Sequence, residues 1–107
     1  MTQTIYIISD AEQDLIELYD YVAVHDSPEN AEILIYKIQE TCLTLKDLAN
    51  RGHIPPELER IGVLSYREIH FKPYRIIYQV IESNVYIYCI LDGRRDLQEL
   101  LEKRLLR

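Results

Sequence analysis

The sequence predicts an α+β domain in the order β-α-α-β-β-β-α: a small, mainly antiparallel sheet with an N-terminal αα-hairpin and a short C-terminal helix. Three observations predict it. Apolar residues recur at helical spacing between residues 9 and 50, with one break at His25-Asp26-Ser27. From Tyr66 to Leu91, three β-branched and aromatic runs follow one another, separated only by turn signals. After Asp92-Gly93, leucines return at helical spacing.

Thr4 to Ile8 reads as a short strand. Ser9, with Glu12 three residues on, has the form of a capping box that opens a helix. Ala11, Leu15, Leu18, Tyr19 and Val22 form its apolar stripe, and Asp10, Glu12 and Asp14 near its start suit the helix dipole. Ser27-Pro28 restarts the pattern, Ser27 as N-cap and Pro28 at the first helical position. Ala31, Leu34, Ile35, Ile38, Cys42, Leu45 and Ala49 carry the second stripe to a stop at Arg51-Gly52, and Pro55-Pro56 forbids resumption.

Residues His53 to Leu64 read as loop, with a short turn at Glu57 to Arg60. The strands that follow are Tyr66–Phe71, Tyr74–Glu82 and Val85–Leu91, with Lys72-Pro73 and Ser83-Asn84 as the turns between them. Asp96 starts a last helix whose narrow apolar face is Leu97, Leu100, Leu101 and Leu105. Lys103, Arg104 and Arg107 gather at its C-terminal end, where the dipole favours cations. The helices are expected together on one face of the sheet.

At 107 residues and 48% apolar content, the chain forms one domain, 1–107, with a sizeable core. Nine Tyr suit half-buried sheet faces. Residues 1–50 hold two Lys against ten acids, a net of −8, while residues 51–107 hold ten basic against eight acidic residues, a net of +2. Phosphate clamping runs on a positive field, so this balance counts against a broad nucleic-acid surface. Cys42 and Cys89 lie inside apolar runs and read as buried free thiols. Three His without a Cys-x-x-Cys suggest no metal site and no cofactor. With no export signal and no apolar run of membrane-spanning length, the chain reads as cytoplasmic.

Chemistry concentrates between Tyr66 and Asp96, where Arg67, His70, Lys72, Arg75, Arg94 and Arg95 are set among the strands. Arg75 lies inside an apolar strand, where an unpaired charge is costly, so a structural salt bridge and a binding role stand side by side. Arg95 has Asp96 or Glu68 as a candidate partner. His70 shares a strand face with Glu68 two residues earlier, the arrangement of a general base or simply of a strand histidine beside a carboxylate. The four leucines of the last helix serve either a core or a groove for a partner segment.

The element order, the phrase Tyr74-Arg75-Ile76-Ile77-Tyr78 and the ending Asp92-Gly93-Arg94-Arg95-Asp96 resemble the RelE/ParE superfamily of bacterial toxin–antitoxin toxins. Two activities live on that fold, so the resemblance alone does not fix function. RelE-like members cleave messenger RNA on the ribosome, and ParE-like members poison DNA gyrase. RNA cleavage needs a base for the 2′-hydroxyl, an acid for the leaving oxygen and cations for the phosphate. From the RelE pattern Arg75 and Arg95 carry over. The paired lysines do not, since Arg67, Glu68 and His70 stand there, and the tyrosine expected six residues beyond Arg95 falls at Leu101.

The Arg-Arg-Asp ending and Leu-rich last helix look more like ParE. That resemblance implies a plasmid-stabilisation-like toxin that inhibits gyrase without catalysis and is neutralised by a cognate antitoxin in complexes that can be of higher order. Its partner-binding set is then Arg67, Lys72, Arg75, Arg94, Arg95, Leu97, Leu100, Leu101 and Arg104. The alternatives are a ribosome-dependent mRNA endoribonuclease using Glu68, His70, Arg75 and Arg95, and a non-toxic antitoxin-binding module.

Overall fold

The computed structural model describes residues 2–106. Four strands form one mixed sheet in the order β1-β4-β3-β2. These are β1 (Thr4–Ile7), β2 (Arg67–Phe71), β3 (Tyr74–Ile81) and β4 (Asn84–Asp92). β1 runs parallel to β4, from Thr4↔Asn84 to Ile7↔Ile87, and the other pairs are antiparallel. The helices are α1 (Ser9–His25), α2 (Pro28–Leu43), α3 (Pro56–Glu59) and α4 (Gln98–Leu105). The order matches the expected fold class, with α3 as a fourth, one-turn helix.

Several local expectations need correction. Ser9 is the first helical residue of α1 rather than its cap. Extended Ile8 takes that position, and no side chain caps the helix. Pairing decides the boundary: Ile8 N–H donates to Ile87 O at 3.1 Å, which holds the chain in the sheet until Ile8 O accepts from Glu12 N. The α2 start is as expected, with Pro28 first and Ser27 Oγ accepting from Asn30 N at 3.1 Å. Its helix ends at Leu43 and tightens into a 3₁₀ turn, Thr44–Lys46, well short of Arg51-Gly52. Two threonine hydroxyls donate to backbone carbonyls there, Thr41 to Lys37 O and Thr44 to Thr41 O, and compete with the regular ladder. Pro56, expected to block a helix, opens α3, since the first helical position needs no N–H.

The β3–β4 turn is Glu82-Ser83 rather than Ser83-Asn84, because Asn84 already pairs with Ile81. Glu82 sits at φ 56, in the left-handed region. Asp96 does not enter α4; its carboxylate accepts from Gln98 N at 3.1 Å, and Leu97 stands as the cap residue. Arg107, expected at the end of that helix, lies outside the described residues.

The helices do not share one face. Successive strand residues point to opposite sides, and Ile76 and Ile77 of β3 enter two different cores. The larger core joins α1 and α2 (Ala11, Leu15, Ile38, Cys42) to Ile69, Ile76, Tyr78, Val85 and Ile87. The smaller one joins Leu58 of α3 with Leu97 and Leu101 to Ile77, Cys89 and Leu91. A register shift at Ile77/Tyr78 pairs Ile77 with Cys89 but Tyr78 with Ile87, skipping Tyr88. That bulge lets Tyr88 pack with Cys89 against the smaller core. Cys42 and Cys89 are buried free thiols, each pushed up to about 12 by desolvation.

Beyond Ile87, β4 has lost β1 as a neighbour, and side chains cover that edge. Asp14 accepts from Ile90 N at 2.9 Å, and Arg104 donates to Tyr88 O at 2.9 Å while pairing with Asp14 at 3.0 Å. One ion pair thus closes an open strand edge and ties α1 to α4. Among the described residues, no helix is long and apolar enough to cross a membrane.

Candidate functional site

The polar residues singled out from the sequence meet where β2, β3 and α3 rim the smaller core. Register brings them there: His70 stands opposite Arg75, and Glu68 opposite Ile77. Glu68 and His70 therefore share the face on which Arg75 projects. Glu68 is 1% exposed, and Arg75 Nε donates to its Oε1 at 2.6 Å. Arg75 Nη1 and Nη2 donate to both oxygens of Glu57 on α3, at 2.6 and 2.7 Å. These hydrogen bonds hold the Glu57 carboxyl below the usual carboxylate range and raise the Arg75 guanidinium further above its own. Gly93 lies against the arginine stem, where a Cβ would come within 2.8 Å of Arg75 Cγ and Cδ. Arg75 is thus the centre of a structural salt bridge, with carboxylates on every side of its guanidinium.

Glu68 has two further neighbours. His53, in the loop before α3, pairs with it through backbone bonds in both directions, His53 N to Glu68 O at 3.1 Å and Glu68 N to His53 O at 2.7 Å. His53 Nε2 then lies 3.1 Å from Glu68 Oε2, and His70 Nε2 lies 3.3 Å from Oε1. The imidazoles meet edge to face at 5.3 Å. The loop is held close by Tyr78, whose buried hydroxyl donates to Ala49 O at 2.8 Å and accepts from Gly52 N at 3.1 Å. Arg67 donates to Gly52 O at 2.8 Å.

The remaining cations are more open. Lys72 and Arg94 line a shallow depression of about 300 Å³ together with His70, Tyr74 and Arg75. Arg95 faces a neighbouring one of about 280 Å³, between α1 and the ends of β3 and β4, lined by Glu17, Leu18, Tyr21, Tyr74 and Asp92. Arg94 is clamped on Asp92 at 2.7 Å, and its hydrogen bonds hold that carboxyl down at about 2. Arg95 is exposed and makes no ion pair among the described residues, so the expected pairing with Asp96 or Glu68 is not formed. Arg75 holds the Glu68 position instead.

On the last helix, Leu97 and Leu101 are fully buried in the smaller core, which removes them from any groove surface. Leu100 and Leu105 are half-buried beside them. Arg104 is engaged with Asp14 and Tyr88 O. Of the nine residues expected to meet a partner, the open ones are therefore Lys72, Arg94, Arg95 and, in part, Leu100. Of the four nuclease candidates, Glu68, His70 and Arg75 come together, and Arg95 faces the neighbouring depression.

Residues 5–97 match the family model described as ParE toxin of type II toxin-antitoxin system, parDE. The chain belongs to the ParE toxin family. No curated protein matches it at a significant level. Among solved structures, this ParE-family fold is similar to the chromosomal ParDE toxin–antitoxin system from P. aeruginosa, at 24% identity and a TM-score of 0.72, covering 85% of this chain and 96% of that one. It is also similar to the toxin–antitoxin complex RelBE2 from Mycobacterium tuberculosis, at 16% identity and a TM-score of 0.62, covering 86% and 92%.

Three residues that shape this region escape a reading of the sequence. Glu57 and His53 lie in a segment without periodicity, so nothing local assigns them to Arg75 and Glu68. Asp14 reads as a dipole-favouring acid and instead accepts from a strand. A buried arginine does demand a carboxylate, but sequence distance does not pick out Glu57, since Glu68, Glu82, Glu59 and Asp92 all lie nearer to Arg75 along the chain.

Proposed function

We propose that this toxin of a type II toxin–antitoxin system acts by binding DNA gyrase, with no chemistry of its own, and that a cognate antitoxin neutralises it. The observation that carries this reading is the state of Arg75. A nuclease of this fold would need that guanidinium to hold a phosphate as charge develops. Here Nε, Nη1 and Nη2 all donate to Glu57 and Glu68. An incoming phosphate would have to displace two carboxylates and lie beside them. The open cations Lys72, Arg94 and Arg95, with half-buried Leu100, remain for contact with a protein. The antitoxin would lay an amphipathic helix and an extended segment across the sheet and helices.

One observation favours a second reading. His70 lies 3.3 Å from Glu68, the arrangement of an oriented general base, as an mRNA endoribonuclease would need. Induction from a tight promoter separates the two. Gyrase poisoning produces DNA breaks, SOS induction and filamentation while translation continues, and the purified protein arrests gyrase with DNA cleaved. Cuts in messages on translating ribosomes, with gyrase unaffected, would establish the nuclease instead. Tight antitoxin binding without any growth effect would leave an antitoxin-binding module.

A further inference from the structure

We propose that His53, Glu68 and His70 form a site for a divalent transition-metal ion that pins the loop carrying His53 to β2. His53 and His70 each offer a ring nitrogen and Glu68 a carboxylate oxygen, and these three atoms lie within 4.8 Å of one another. His53 Nε2 lies 3.1 Å from Oε2, close to the separation of neighbouring ligands of a tetrahedral ion, about 3.3 Å when metal bonds are about 2.0 Å long. His70 Nε2 approaches the same carboxylate from its other oxygen, 3.3 Å from Oε1. Two imidazoles and one carboxylate suit zinc, cobalt, nickel or copper rather than magnesium or calcium, whose ligands are oxygens.

The site is built rather than incidental. The reciprocal backbone bonds between His53 and Glu68 fix one ligand pair, and strand alternation puts His70 on the same face two residues on. Arg75 orients the carboxylate through Oε1, leaving Oε2 toward His53. Ligating carboxylates are commonly held by such a second hydrogen bond. The nearby positive charge does not forbid a cation, since Glu57 neutralises Arg75 in a bidentate pair and leaves the charge of Glu68 to the ion. His53 and His70 are 60% and 40% exposed, so an ion has a route in and keeps positions for water.

The experiment uses the full, tag-free chain stripped of metal, titrated with Zn²⁺ by calorimetry and with Co²⁺ by visible absorption. One ion per chain is expected at micromolar or tighter affinity, with a Co²⁺ spectrum of four- or five-coordinate nitrogen and oxygen ligation. Saturating Zn²⁺, about 100-fold above its dissociation constant, raises the thermal midpoint by on the order of 10 °C. His53→Gln and His70→Gln should each weaken binding at least about tenfold. His25→Gln, on α1, should leave binding unchanged. Metal-free midpoints check folding, and His53→Gln in the exposed loop decides alone if His70→Gln does not fold. No binding at millimolar Zn²⁺, or affinity retained in His53→Gln, overturns the proposal.

Discussion

Arg75 Nη1 and Nη2 donate to the two carboxylate oxygens of Glu57, at 2.6 and 2.7 Å, from a strand to a one-turn helix. Residues 18 apart are held in a planar fork that neither a lysine nor an aspartate would reproduce. The side chains are only 12% and 13% exposed, and Nε of the same guanidinium holds Glu68 at 2.6 Å. Solvent screening is weak at such burial, so the three groups depend on one another.

Removing the cation should therefore cost more than removing either anion. Arg75→Ala leaves Glu68 buried without its main donor, and breaking such a pair costs about 3–5 kcal/mol. For a domain of this size that lowers the thermal midpoint by well over 10 °C, as rough scale. Glu57→Gln keeps Glu68 on Arg75 and should cost less than half as much. Urea unfolding of the variants measures both. Equal losses for Arg75→Ala and Glu57→Gln would mean that Glu68 does not need Arg75.

The same pair sets the acid limit of stability. Hydrogen bonds from Arg75 put the folded Glu57 carboxyl below its unfolded value, which is about 4.3. A carboxyl shifted in that direction contributes its stability in full above the unfolded value and loses it as pH falls through the folded one. Wild-type stability should thus decline below about pH 4.5, and Glu57→Gln should flatten that decline. Asp92, although held at about 2, faces a guanidinium that is 71% exposed. Asp92→Asn should change the acid profile little, and less still in high salt. A steeper acid slope in Glu57→Gln would contradict the assignment.

Where periodicity carried information, the sequence was a sufficient guide: Ser27-Pro28 at the start of α2, the three strands from Arg67 to Asp92, and the leucines of α4. Boundaries failed where a distant partner decided them. Ile8 stays extended because Ile87, far along the chain, holds its N–H. The two-sided packing follows from Ile76 and Ile77 entering separate cores, a distinction that two adjacent isoleucines do not display. For the site, Glu68 and His70 were legible because alternation along one strand puts them on one face, and Arg75 because it stands inside an apolar strand next to theirs. His53 and Glu57 were not, since tertiary register alone brings a loop to a sheet.

The Glu82-Ser83 turn holds a glutamate at φ 56, where a Cβ meets backbone crowding. Glycine adopts that conformation without the penalty, at the cost of a looser unfolded chain. Glu82→Gly should gain about 0.5–1 kcal/mol, and Glu82→Asn somewhat less, since Asn tolerates the same region. Thermal melts at neutral pH read the change. A loss of stability in Glu82→Gly would place the turn's contribution in the glutamate side chain.

Gly52 is the narrowest point between the His53 loop and the sheet. A Cβ there would lie 2.5 Å from the backbone oxygen of Glu68 and 2.7 Å from the Tyr78 hydroxyl. Backbone cannot yield cheaply, so Gly52→Ala must push the loop outward. The shift would stretch the bonds between His53 and Glu68 and between Gly52 N and Tyr78. Overpacking of this kind costs about 1–3 kcal/mol. Tyr78→Phe attacks the same junction from the other side, leaving Ala49 O and Gly52 N without the hydroxyl, for a cost of about 1–3 kcal/mol. Because both changes disrupt one contact, the double variant should lose clearly less than the two single losses added together. Full additivity in denaturant unfolding would show that the loop and the tyrosine act independently.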